Sequence, residues 1–223
     1  MKKINSILAL SAMAFTVACS NAPEQAVEAN EAEEVVAAPE ATTENYTINT
    51  DESVVEWIGF KTYSDDQHTG IISVSEGNAE VEAGNLIGGS FTIDMNSIDC
   101  KDLEGEYKGK LEGHLKNADF FDVENHSTAV FTITGIEAVQ DTATGTSHVV
   151  AGNLMLRGIE KNISIPANIS IEENTLNFMA PEFVINRTDW EVNFHSTGIE
   201  GVAKDQLIDN NIKLTVAFTA HKS

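Results

Sequence analysis

The sequence predicts an all-β fold, an antiparallel sandwich or closed barrel carrying one short helical insert near 102–118. Three observations predict it. Many segments alternate apolar and polar residues, the period of a strand with one buried face. Clusters of Gly, Asn, Asp and Glu separate them at short spacing, as turns do in all-β domains. A single stretch changes period, and an aromatic pair follows it.

That stretch runs from Leu86 to His126: LIGGSFTIDMNSIDCKDLEGEYKGKLEGHLKNADFFDVENH. Phe91, Ile93 and Met95 share one strand face, opposite Thr92, Asp94 and Asn96. From Asp102 the spacing turns helical, with Leu103, Tyr107, Leu111 and Leu115 recurring every four residues. Gly105, Gly109 and Gly113 interrupt the run, each weakening a helix by about 1 kcal/mol relative to Ala. The expectation is a loop and then a short helix near Lys110–Asn117. Phe120 and Phe121 follow as a plug turned into the core, which suggests a barrel with one end covered.

The strand candidates are Ser53–Thr62, Gly70–Ser75, Asn78–Glu82, Leu86–Ile98 and Ala129–Val139, then Thr146–Arg157, Ile159–Glu172, Thr175–Arg187 and Asn211–His221. Ile163, Ile165, Ala167, Ile169 and Ile171 alternate with polar neighbours, as do Ile212, Leu214, Val216 and Phe218. Pro166 inside such a run suits an edge or a bulge, because proline has no N–H for the ladder. No βαβ rhythm, repeat or second boundary interrupts 46–223, which is long enough for one domain with a substantial core.

The N-terminus lies outside that domain. Lys2 and Lys3 precede an apolar run, Ile7 to Val17, too short to span a bilayer, and Ala18 precedes Cys19. We read residues 1–18 as a lipoprotein signal peptide and Cys19 as the lipidated first residue of the mature chain. The expected location is the cell envelope, at the outer membrane or the periplasmic side of a bacterial membrane. Residues 19–45 read as an acidic, low-complexity tether; Ser20 to Asn45 contains seven Glu and no Lys or Arg. A flexible chain of that length reaches about 30 Å. With Cys19 acylated, Cys100 has no intrachain partner and reads as an inert thiol.

Formal net charge is −22, and loss of residues 1–18 removes Lys2 and Lys3 and no acid, leaving −24. Such a surface argues against nucleic acid, whose phosphates need clustered Lys and Arg. It equally disfavours adsorption to anionic headgroups, so membrane attachment falls to the lipid on Cys19. No Gly-x-Ser-x-Gly elbow, Walker loop or dinucleotide loop is present. The six histidines are scattered, with no pair at i,i+4. These readings point away from an enzyme, a metal and a cofactor.

Two motifs stand out, His68-Thr69-Gly70 and Asn186-Arg187-Thr188-Asp189-Trp190. Arg187 is either the partner of an acid such as Asp189 or a polar anchor at a barrel mouth. Trp57 and Trp190 are core residues, ligand contacts, or both. A barrel of about eight strands encloses packed side chains or one slender ligand. In an incompletely filled apolar interior a hydrocarbon chain completes the core, at about 0.8 kcal/mol per buried CH₂.

GGSFTIDMNSI and LEGHLKNADFFDVENHSTAVFTIT resemble the YceI family. Ser53-Val54-Val55-Glu56-Trp57, His68-Thr69-Gly70, Ala151-Gly152-Asn153-Leu154, Arg187-Thr188-Asp189-Trp190 and the Asp209–Leu214 strand keep the family's order. The resemblance implies an extracytoplasmic, non-enzymatic, lipocalin-like antiparallel barrel of about eight strands. It also implies a polyisoprenoid or similar long-chain lipid as ligand. Glu191-Val192-Asn193-Phe194-His195 departs from the Gly- and Tyr-rich segment usual there.

The candidate ligand contacts are the apolar-face residues Trp57, Phe91, Ile93, Phe120, Phe121, Phe131, Phe183 and Trp190, with Arg187 and His68 as headgroup contacts. The expected function is to sequester or carry such a lipid. The rival reading is an envelope-stress or surface interaction module with a filled barrel. A metal- or haem-linked accessory and a lipid hydrolase rank below both. The sequence leaves the oligomeric state open, a homodimer included.

Overall fold

The computed structural model describes residues 25–37, 43–141 and 145–223. The signal segment 1–18 and Cys19 lie outside the described residues. The strands are β1 (Asn30–Glu31), β2 (Glu44–Lys61), β3 (Gln67–Glu82), β4 (Asn85–Asp94) and β5 (Asp99–Cys100), followed by helix α1 (Gly105–Lys116). Then come β6 (Thr128–Asp141), β7 (Thr146–Leu156), β8 (Ile159–Glu172), β9 (Thr175–Asn186) and β10 (Ile208–Lys222). Neighbours run β8-β7-β6-β4-β3-β2-β10-β9, and β9 pairs again with β8. The eight long strands therefore close into an antiparallel barrel, sealed between β8 and β9 by the ladder from Asn168 to Glu172.

Tight turns make this order. Arg157 and Gly158, with φ of 52° and 75°, join β7 to β8, the positive pair that matches the twist of a two-residue hairpin. The two short strands expected at 70–75 and 78–82 are one strand, β3, carrying register shifts at Val74/Glu76 and Glu80/Val81. A bulge lets one strand bend without ending.

Inward-facing residues fill the interior unevenly. Phe131, Phe91, Phe218 and Phe178 run across the lumen as a chain, with centroids 5.5, 5.6 and 4.6 Å apart. Beyond this partition Tyr46, Ile48, Val81 and Leu176 are buried against one another in a continuous core. On the other side, α1 and the segment after it cover the barrel end. Leu111, Leu115 and Phe121 pack onto the core while Tyr107 is exposed.

The helix starts at Gly105, earlier than the glycine argument placed it. A Cβ on Gly105, Gly109 or Gly113 would meet nothing within 4 Å, so the glycines lie in open space. Tertiary ties offset their weak propensity. Lys108 pairs with Asp99, and the Cys100 N–H donates to Glu112 Oε1 at 2.9 Å, fastening α1 to β5.

Part of the segment 25–37 docks onto the barrel. Asn30 and Glu31 pair with Asn162 and Lys161 of β8, and Val27 and Ala29 pack against the core. Alternation of Val27 and Ala29 with Glu28 and Asn30 gives even this acidic stretch one apolar face.

A cavity between the partition and the helical cover

Between the phenylalanine partition and α1 lies an apolar cavity of about 110 Å³. Its wall comes from Val55 and Trp57 of β2, Ile93 of β4, Leu154 and Leu156 of β7, and Ile185 of β9. Leu115, Phe120 and Phe121 close it from the α1 side. Each wall residue is one that strand alternation turns inward. Arg187, Asp209 and Asn211 are the polar members of the lining.

Of the candidate contacts, Trp57, Ile93, Phe120, Phe121 and Arg187 line the cavity. Phe91 and Phe131 belong to the partition, and Phe183 is buried in the surrounding core. Trp190 is buried behind the wall, donating its indole N–H to the Leu154 carbonyl at 3.0 Å. His68 does not line the cavity. Its Nδ1 is 2.8 Å from Asp102 Oδ2, and both side chains are partly exposed. Sequence reasoning missed Leu115, Met95, Ile98 and the β10 residues Ile212 and Leu214. Their strand or helix period was visible, but aromatic content drew the selection elsewhere.

Arg187 is fully buried, and its donors go to main-chain carbonyls. Nε donates to Asp209 at 2.9 Å, Nη1 to Val192, and Nη2 to Phe194 and Ile208 at 3.0 and 3.1 Å. Neither the Asp189 ion pair nor a free headgroup anchor describes it. Burial pushes the guanidinium down to about 10, against the pull of Asp209, so it stays charged at neutral pH. The Phe120 ring lies 5.3 Å from Cζ, a cation–π contact that ties the plug to the Arg187 knot. The departing segment Glu191–His195 is thus folded around Arg187, with left-handed φ at Glu191 and His195.

Trp57 contributes the one loose polar atom of this wall. Its Nε1 is buried with no hydrogen-bond partner among the described residues. A buried donor left unmade costs about 1–3 kcal/mol.

The Cys100, Asp102 and His68 side chains form a chain, with Sγ 3.2 Å and Nδ1 2.8 Å from the carboxylate. The thiol donates to Asp102, and burial pushes it above its ordinary value. It is therefore a buried, protonated group rather than a nucleophile. For Asp102 burial opposes the charge, but bonds from the Thr69 N–H, His68 and Cys100 prevail and hold it at about 2. Among the described residues no group of three His, Cys, Asp or Glu is placed to hold a metal, and no helix is long and apolar enough to cross a membrane.

The profile of the YceI-like domain matches residues 46–220, nearly the whole barrel. The chain belongs to the YceI family. A UPF0312 protein of Pseudomonas aeruginosa is 29% identical over 123 residues, 55% of this chain and 51% of its own. Another, from Pectobacterium atrosepticum, is 30% identical over 100 residues, 45% of this chain and 44% of its own. The chain thus spans about half the length of the curated relatives it matches. Among solved structures, Burkholderia cenocepacia BcnA superposes with a TM-score of 0.54 at 16% identity, over 77% of this chain and 98% of that one. A polyisoprenoid-binding domain from Saccharophagus degradans, implicated in plant cell wall breakdown, gives 0.54 at 13% identity, over 80% and 98%. These likenesses establish the YceI-like, lipocalin-like barrel fold.

Proposed function

We propose that this YceI-family protein binds an apolar lipid chain of the polyisoprenoid class in the cavity beside Trp57, and acts as a binder or carrier rather than an enzyme. The apolar cavity under the Phe120–Phe121 plug carries the reading. Branched wall residues suit branched isoprene units, and each buried CH₂ contributes about 0.8 kcal/mol. The polyisoprenoid-binding neighbour of the same fold supports the ligand class. The unpartnered Trp57 N–H adds a preference for a chain bearing an oxygen acceptor.

Size sets the mode. Apolar cavities of about 150 Å³ take a benzene-sized guest. A void of 110 Å³ holds about one isoprene unit, so a longer chain threads past Phe120 and Phe121 or displaces the partition. The reading includes export, with the chain held at the envelope by acylated Cys19. The small void equally favours a second reading, a filled barrel that works through its surface. Organic extraction of protein purified without added lipid, followed by mass spectrometry, separates them. Stoichiometric prenyl lipid is expected; repeated recovery of none leaves the surface module.

A further inference from the structure

The wall between β8 and β9 is incomplete. Their pairing ends at Asn168 and Met179. Two residues further along each strand stand Pro166 and Pro181, neither with an N–H to donate. Past this point β8 keeps only β7 on one side, and β9 keeps only β10. The chain has four prolines; the other two, Pro23 and Pro39, bracket residues 25–37 in sequence.

That segment occupies the gap. The Val27 N–H donates to the Val184 carbonyl of β9 at 2.7 Å, and Asn30 and Glu31 pair antiparallel with β8. Val27 and Ala29 face the core, so the segment serves as a short ninth stave. Asn153 of β7 then grips both main-chain groups of one residue, Glu33. Its Oδ1 accepts the Glu33 N–H at 3.0 Å and its Nδ2 donates to the Glu33 carbonyl at 2.7 Å. Asn162 orients that amide, donating to Asn153 Oδ1 at 2.9 Å and to Thr134 Oγ1 at 3.0 Å. Asn153 and Asn162 are only 3% and 4% exposed, although they alternate with the inward residues of their strands. Buried amides pointing away from the lumen, matched to a main chain, make a built site for a strand. The occupant itself is lightly held, with residues 30–37 exposed throughout.

We propose that the β8–β9 gap is a strand-binding site whose occupant is residues 27–33 of this chain, and that release of this strand opens a side entrance to the cavity. Of the cavity residues, Ile185 belongs to β9, which flanks the gap, and Leu154 and Leu156 to β7, the strand paired with β8. The entrance rests on the apolar-ligand reading; the strand site does not. Below the prolines the β8–β9 ladder from Asn168 to Glu172 keeps the barrel closed while the stave is away.

The test is a reversible lock. Glu31 and Lys161 are antiparallel Cα partners, a spacing within disulfide reach. Full-length Glu31→Cys/Lys161→Cys protein, with Cys19→Ser so that buried Cys100 is the only other thiol, is compared oxidised and reduced. Amide exchange is followed at 159–165 and 182–186, and uptake of the fluorescent probe N-phenyl-1-naphthylamine by stopped flow. Oxidation should slow both at least tenfold without changing how much probe binds, and reductant should restore them. Asn153→Ala, which needs no cross-link, should speed both. Equal amide exchange in oxidised, reduced and Asn153→Ala protein overturns the strand site. Altered exchange with unaltered uptake overturns the side entrance. If no form binds the probe, the apolar-ligand reading and the entrance fall together, while amide exchange alone decides the strand site.

Discussion

Gly70 has no room for a side chain beside Trp57: a Cβ there would stand 2.4 Å from Trp57 Cζ2 and 2.4 Å from the Asp99 carbonyl oxygen. Gly70→Ala must push the indole toward the cavity or lift β5 from β3. Overpacking of this kind costs about 1–3 kcal/mol. Urea unfolding should show that loss, and titration with an apolar fluorophore should show weakened binding. Gly59→Ala, whose Cβ meets nothing within 4 Å, should leave stability within about 0.5 kcal/mol of wild type.

Arg187 holds the loop at the cavity mouth through four carbonyls. Arg187→Met strands those acceptors in a buried place and should cost at least about 3 kcal/mol. Arg187→Lys retains the charge but not the fork, so it should recover less than half of the loss. Thermal denaturation of the pair checks this; a drop under about 1 kcal/mol for Arg187→Met contradicts the knot.

Phe131 anchors the partition, and a Cβ on Gly152 would lie 2.2 Å from its Cζ. Phe131→Ala should cost about 3–5 kcal/mol and enlarge the interior. If the variant folds, it should bind longer apolar chains more tightly than wild type. Calorimetry with a series of prenols of increasing length reads the change.

Gly109→Ala and Gly113→Ala should each stabilise the protein by about 1 kcal/mol, because propensity improves and no atom is displaced. Gly105→Ala should not, since φ there is +56°. Chemical denaturation of the three variants separates the cases.

Acid should weaken the fold in two stages. Burial holds the His114 imidazole below its ordinary 6.5, with His195 adding to the effect and Asp119 opposing it. The unfolded chain then binds the proton more readily, so stability is full above about pH 6.5 and declines as pH falls below it. His114→Gln should remove this first stage. Asp99, held at about 2 by hydrogen bonds from Lys101 and Lys108, and Asp102, also at about 2, act in a lower window. Their contribution is present above about pH 4 and disappears as pH approaches 2. Unfolding free energy measured from pH 8 to pH 2 should show both steps.

Most of the barrel was legible in the sequence because one buried face forces period-two alternation on each strand. Ile163, Ile165 and Ala167 point inward as their spacing requires. The helix start was not legible, since the ties from Lys108 and Glu112 to β5 are long-range and override three glycines. The cavity was legible only in part. Trp57 and Phe120 could be chosen from type and alternation, but nothing local tells that Phe91 and Phe131 meet in a barrier while Ile93, two residues along, borders a void. The docking of residues 25–37 was hidden by acidity, because most of its contacts are to the main chain and only Val27 and Ala29 add apolar side chains.

The four phenylalanine rings across the lumen also decide where this molecule can change. The end built on Tyr46 and Ile48 acts as a keel, buried on the far side of the rings from the cavity. Substitutions around Trp57 and Leu115 can therefore retune selectivity while the keel preserves foldability, and adaptation is confined to one end of the lumen.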